Sequence, residues 1–115
     1  MESVEPPTWS LFVDGSAGDV GSGAGVVLIS PEGHKLTSTV RFKFKATNNV
    51  AEYEALLAGL RLAKEMQVKK LLVRSDSQLV VSQVNGNFSA KDKTMASYLK
   101  MVMNLIPSFE KFELT

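Results

Sequence analysis

The feature that most constrains this chain is a change of hydrophobic period near residue 46. Before it, short β-forming segments are separated by turn residues. After it, apolar residues recur at helical spacing, and strand-like runs return only between helices and at the end of the chain. Residues 9–13 are short and rich in β-formers, and Asp14-Gly15 breaks them. Five of the eight glycines fall in residues 15–25. The run Val26-Val27-Leu28-Ile29 that follows suits a strand covered on both faces. Ser30-Pro31-Glu32-Gly33 reads as a turn, with Pro presetting φ and Gly supplying φ > 0. Residues 36–45 end in the alternation Val40, Phe42, Phe44 against Arg41, Lys43, Lys45, a half-exposed edge strand.

The helical half begins at residues 50–66, where Tyr53, Leu56, Leu57, Leu60 and Ala63 share a stripe. Residues 70–75 hold a buried strand around Leu71-Leu72-Val73. A short helix over 77–84 stops at Asn85-Gly86. A second, starting at Asp92 or Lys93 and running to Leu105, is stopped by Pro107, and 109–114 reads as a last strand. A meander followed by βαβ crossovers means an α/β chain with a mixed sheet and right-handed crossovers. Residues 1–8 read as a tail and 9–115 as one domain.

Composition narrows the function. A hydrophobic content of 44% over 115 residues is too high for a disordered chain. With no cysteine there is no disulfide framework or thiolate metal site. No uninterrupted apolar run exceeds four residues, and the acidic, proline-bearing N-terminus has no apolar h-region, so neither a membrane partner nor a secretory signal is expected. A net charge of +1 means that nucleic-acid binding would depend on locally placed charge.

Three acidic residues stand out. Asp14 closes the first strand, Asp76 closes the fourth, and Glu52 opens the first long helix. If the two strands are parallel neighbours, the aspartates lie side by side at the C-terminal end of the sheet, where α/β folds place ligands. Each residue also has a purely structural reading. Asp14 before Gly15 fits an Asx turn. Asn49-Val50-Ala51-Glu52 fits a capping box with Asn49 as N-cap. Asp76 fits an N-cap of the helix after it. Against these stands the coincidence of all three. Glu52 shares a face with Leu56, Gly59 and Ala63, and an inward carboxylate is costly unless paired or metal-bound. Carboxylates converging on one point repel without a cation, and hard oxygens without His or Cys suit Mg²⁺ or Mn²⁺. Two such ions activate water and stabilise the leaving oxygen of a phosphodiester.

Other features are weaker. Gly21-Ser22-Gly23-Ala24-Gly25 leads into a strand with no Lys-Ser/Thr after it, so it reads as a hairpin loop and not a phosphate loop. His34 sits in a turn. Met95, Leu99, Met101, Met103 and Leu105 read as core, and Arg41, Lys43 and Lys45 as a solvated edge.

Phe12-Val13-Asp14-Gly15-Ser16, Thr47-Asn48-Asn49-Val50-Ala51-Glu52-Tyr53 and Ser75-Asp76-Ser77-Gln78, in this order and spacing, resemble the type 1 ribonuclease H family. The likeness runs from Trp9 onward and is strongest to the ribonuclease H domains of plant gypsy-class LTR retrotransposons. It implies a five-stranded mixed sheet of order 3-2-1-4-5, and hydrolysis of the RNA strand of an RNA–DNA hybrid with two Mg²⁺ or Mn²⁺ ions. A reverse transcriptase in a parent polyprotein is an implied partner. Asp14, Glu52 and Asp76 match three of the family's four metal-binding acidic residues. Asn48, Asn49 and Gln78 match contacts to the minor groove and 2′-hydroxyls, and amides suit that task because they both donate and accept. Gly15 and Ser16 would lie by the scissile phosphate, and Thr47 would touch a phosphate.

The fourth acidic residue lies in the family on a final helix that packs on the opposite sheet face. Here Thr115 directly follows the last strand, and neither Glu110 nor Glu113 takes that role. The expectation is a domain without its C-terminal helix, with weak or absent hydrolysis and one sheet face partly bare. That face is a candidate surface for self-association or another protein, which gives a second reading: a module that binds without cutting.

Overall fold

The computed structural model describes residues 5–15 and 23–115. Its elements run β1 (Thr8–Gly15), β2 (Gly23–Ile29), β3 (Lys35–Arg41), α1 (Asn48–Glu65), β4 (Lys70–Ser75), α2 (Gln78–Val84), α3 (Lys93–Leu105), a single 3₁₀ turn (Ile106–Ser108) and β5 (Lys111–Leu114). The sheet order is β3-β2-β1-β4-β5. β1, β2 and β3 form an antiparallel meander. β4 pairs parallel to β1, and β5 parallel to β4. The expected order and mixed pairing are thus found. β1 begins one residue earlier than expected, and Glu5 before it pairs with Lys70 at 2.9 Å.

Strand alternation decides what the sheet buries. Leu11, Val13, Val26, Leu28, Leu71, Val73 and Leu114 all point to the face that α1 covers. The reading of residues 26–29 as covered on both faces is corrected: Val26 and Leu28 are buried, but Val27 and Ile29 are only half-buried. Among the described residues no helix lies on their face, which also carries Phe12 at 41% exposure. This is the partly bare face that the sequence led us to expect. β3 ends at Arg41, short of the expected residue 45; past it Phe42 is buried while Phe44 is exposed, their rings stacked at 5.5 Å.

α1 sits tight on β1 because Gly59 has no side chain: a Cβ there would lie 2.6 Å from Leu11 Cδ2. The other side of α1 packs on α3. α3 buries only one stripe, led by Met95 and Val102, so Met101 and Met103 are solvent-exposed and not core as expected. Gly86, at φ 82°, takes the left-handed conformation that ends α2, as the Asn85-Gly86 pair suggested. α1 ends through Gln67 at φ 58°, where a side chain occupies the position glycine favours.

A polar seam joins the three helices. Tyr53 O–H donates to Gln83 Oε1 at 2.6 Å, Tyr98 O–H donates to Glu54 Oε1 at 2.5 Å, and the two rings stack 5.7 Å apart. Burial disfavours both phenolates and pushes each tyrosine up to about 12; for Tyr98 the Glu54 carboxylate adds to the effect. The unfolded chain therefore loses these protons first, near pH 10, so stability present below pH 10 is lost as pH rises toward 12. Thermal melts across that window should show a falling Tm. The slope should flatten in the Tyr53→Phe/Tyr98→Phe double variant, whatever its absolute stability; an unchanged slope contradicts the assignment.

Candidate active site

The parallel register brings Phe12 opposite Arg74 and Val13 opposite Ser75, so the next residues along, Asp14 and Asp76, are neighbours at the C-terminal ends of the two strands; Asp14 is still paired with Gly25 of β2, and Asp76 is the first residue past β4. Beside them is a cavity of about 450 Å³ lined by Asp14, Gly15, Asn48, Asn49, Glu52, Asp76, Ser77, Gln78 and Leu79. The end of β1, the start of α1, the β4–α2 junction and the first turn of α2 each contribute. Both aspartates are exposed and also edge a second hollow, of about 470 Å³, on the open sheet face with Phe12, Gly25, Val27 and Arg74.

Glu52 is different: it is 4% exposed and held at both oxygens. Gly15 N–H donates to Oε1 at 2.5 Å, and the Ser75 hydroxyl donates to Oε2. The contact with Gly15 needs glycine, since a Cβ there would lie 2.4–2.5 Å from the backbone of Ala51 and Glu52. The Gly15 amide is thus committed to Glu52, while Gly15 itself lines the cavity.

The capping expectations are corrected too. Thr47, not Asn49, caps α1, its hydroxyl accepting from Val50 N–H at 3.2 Å. A capping box from Thr47 would need its acid at residue 50, so Glu52 lies too far along the helix to close one. Ser77, not Asp76, caps α2, accepting from Val80 N–H at 3.2 Å. Among the described residues, no side chain or amide donates to either aspartate, which leaves their lone pairs for a ligand. Thr47 is exposed and does not line the cavity; Ser16 lies outside the described residues.

Asn48, Asn49 and Gln78 do line it. The Ser77 hydroxyl donates to Asn49 Oδ1 at 3.2 Å, which leaves the Asn49 NH₂ group free to meet a ligand. Sequence reading assigned no role to Ser75 or Ser77. Their signal was the motif itself, two hydroxyls flanking Asp76.

The donor set is all hard oxygen, which fits Mg²⁺ or Mn²⁺. The expectation of three carboxylates at one point needs adjustment. They share a cavity, but among the described residues no group of three acids or histidines is close enough to chelate an ion as it stands. Glu52 is drawn back against Gly15 and Ser75, which donate to its two oxygens.

Comparison with known proteins agrees with this geometry. The model of the family described as reverse transcriptase-like matches residues 12–115. The chain belongs to that family, and its domain has the ribonuclease H fold. Ribonuclease HI of Halobacterium salinarum is 33% identical over 107 residues, covering 92% of this chain and 54% of the relative. Its crystal structure superposes with a TM-score of 0.79 at 29% identity, covering 95% of this chain and 84% of that one. A bifunctional protein of Mycobacterium tuberculosis is 33% identical over 97 residues, covering 84% of this chain but 26% of the relative. LC11 ribonuclease H1, solved in complex with an RNA/DNA hybrid, gives a TM-score of 0.80 at 26% identity, covering 93% of this chain and 83% of that one. The chain spans about half, or less, of the length of these curated relatives. No described helix is long and apolar enough to cross a membrane.

The site makes opposite demands on stability at adjacent positions. Gly15→Ala should destabilise this ribonuclease H-like domain by about 2 kcal/mol or more, because the obstruction is backbone and cannot yield like a side chain. Asp14→Asn, which removes one of the clustered charges without a buried partner, should leave stability unchanged or raise it by about 0.5 kcal/mol. Urea unfolding of both variants in metal-free buffer checks the pair; a mild Gly15→Ala or a strongly destabilising Asp14→Asn contradicts it.

Proposed function

We propose that this chain is a ribonuclease H module that hydrolyses the RNA strand of RNA–DNA hybrids with two divalent cations, Mg²⁺ or Mn²⁺. The observation that carries the reading is the shared cavity: Asp14, Glu52 and Asp76 reach it from three separate elements, with Asn48, Asn49 and Gln78 beside them. Ribonuclease H relatives, one of them solved with a hybrid, support it. Asp14, Asp76 and the outward lone pairs of Glu52 would hold the ions. Bound there, divalent cations supply water activation and charge stabilisation at the leaving oxygen. The amides of Asn48, Asn49 and Gln78 would bind the minor groove, where 2′-hydroxyls distinguish RNA from DNA. No protein nucleophile is required.

These residues carry three of the four acidic positions of the type 1 family, so cleavage by this chain alone is expected to be slow. A gypsy-class retrotransposon origin, with a reverse transcriptase as neighbour, belongs to the same proposal and rests on the three motifs. The open sheet face favours a second reading, in which the module binds a hybrid or a protein, or self-associates, without cutting. Light scattering across concentrations addresses self-association, and a strict monomer argues against it.

The deciding assay follows a labelled RNA strand within a hybrid. Mg²⁺-dependent cleavage, abolished by EDTA and by Asp14→Asn or Asp76→Asn, is the expected outcome. Hybrid binding without cleavage at any Mg²⁺ or Mn²⁺ concentration selects the second reading. Robust cleavage at rates matching four-carboxylate relatives contradicts the impairment.

A further inference from the structure

Ser75 is the last residue of β4, one before Asp76, and its hydroxyl sits where α1, α2 and the sheet meet. It accepts from Ser77 N–H at 3.2 Å and donates to Glu52 Oε2. Its own amide donates to the Thr115 carbonyl at 3.0 Å, so the backbone carrying it is tied to the end of β5. A serine hydroxyl has one proton and two lone pairs. With a lone pair engaged by Ser77 N–H, the proton is aimed at Glu52. Gly15 N–H holds the other carboxylate oxygen at 2.5 Å. Each oxygen of a carboxylate accepts about twice, so one acceptor position per oxygen remains.

We infer that Ser75 is a positioning residue for the metal site: its hydroxyl, opposed by the Gly15 amide, fixes the rotation of Glu52 so that the remaining lone pairs face the cavity shared with Asp14 and Asp76. The inference rests on the two-metal reading above. It differs from mere burial of a polar group, because an acid only 4% exposed needs some partner, whereas a metal ligand needs a partner that sets its angle. Outer partners of metal ligands act in this way, and losing one typically weakens metal binding or activity about 10–100-fold.

The test uses the full chain with the substitutions Ser75→Ala and Ser75→Thr. The readouts are the Gly15 amide resonance in metal-free protein, Mn²⁺ affinity by calorimetry, and kcat and KM on a hybrid. Ser75→Ala should shift the Gly15 resonance, weaken Mn²⁺ binding about tenfold or more and lower kcat with KM within twofold. Ser75→Thr, which keeps a hydroxyl and suits a strand end, should restore all three. Should Ser75→Ala fail to fold, Ser75→Cys, with its weak donor, replaces it and should show the same weakening. Mn²⁺ affinity unchanged in Ser75→Ala, or lost equally in Ser75→Thr, overturns the inference while the two-metal reading stands. If the unsubstituted chain takes up no Mn²⁺, the two-metal reading fails and the inference falls with it. A Gly15 resonance that still responds then marks the Ser75–Glu52 contact as structural only.

Discussion

The rest of the site depends on one buried carboxylate being held at both oxygens. Glu52 projects from α1 toward the end of the sheet, and it is tolerated there because Gly15 and Ser75 each donate to it. Those two donors sit at the ends of β1 and β4. The same contacts therefore fix the height of α1 over the sheet and the spacing of the strand ends that carry Asp14 and Asp76. Gly15 makes the approach possible by lacking a side chain, and Gly59 repeats the device further along the helix against Leu11. Two glycines on opposite partners thus seat one helix. The outcome is a cleft with a rigid, buried acid behind and two exposed acids in front.

Much of this could be read without coordinates, because the informative signals were periodic or punctuated. The switch from strand to helical period located the meander and the crossovers, and Gly33, Gly86 and Pro107 marked boundaries where backbone geometry leaves few alternatives. The three acidic residues were legible by their positions at element ends. Less legible was which of two adjacent polar residues performs a local task. Thr47 competes with Asn49, and Ser77 with Asp76, as the N-cap, and each candidate would satisfy a different amide of the first turn. A shift of two residues in α1 and of one in α2 separates the candidates, and the residue types alone suit either. Ser75 was harder still, since its partner lies 23 residues away and a hydroxyl carries no periodic signature. The exposure of Val27, Ile29, Met101 and Met103 was missed for a related reason: hydrophobicity shows what can be buried, but burial needs a second layer to cover it.

The two polar systems of the domain are separate and differently built. At the cleft, one hydroxyl and one amide converge on a carboxylate, leaving the neighbouring aspartates without a protein donor among the described residues. Between the helices, Tyr53–Gln83 and Tyr98–Glu54 are closed pairs flanking stacked rings, and no buried side-chain nitrogen or oxygen among the described residues lacks a partner. Closed pairs specify how helices dock, and they tolerate no ligand. Open acceptors do the reverse. The seam therefore anchors α1 from behind while its front turn stays available for chemistry.

The parallel pairing of β1 with β4 has a consequence in time. The meander can zip through short loops, but this pairing must close a loop that contains β2, β3 and the whole of α1, and loop-closure entropy makes such contacts late and slow. Asp14 and Asp76 become neighbours only at that step. A chain that has formed its meander and its helices, and has not yet joined β4 to β1, has most of its secondary structure and none of its cleft. Ligand affinity at the cleft then reports whether β4 has joined β1, and a cation that binds there stabilises the chain in which it has.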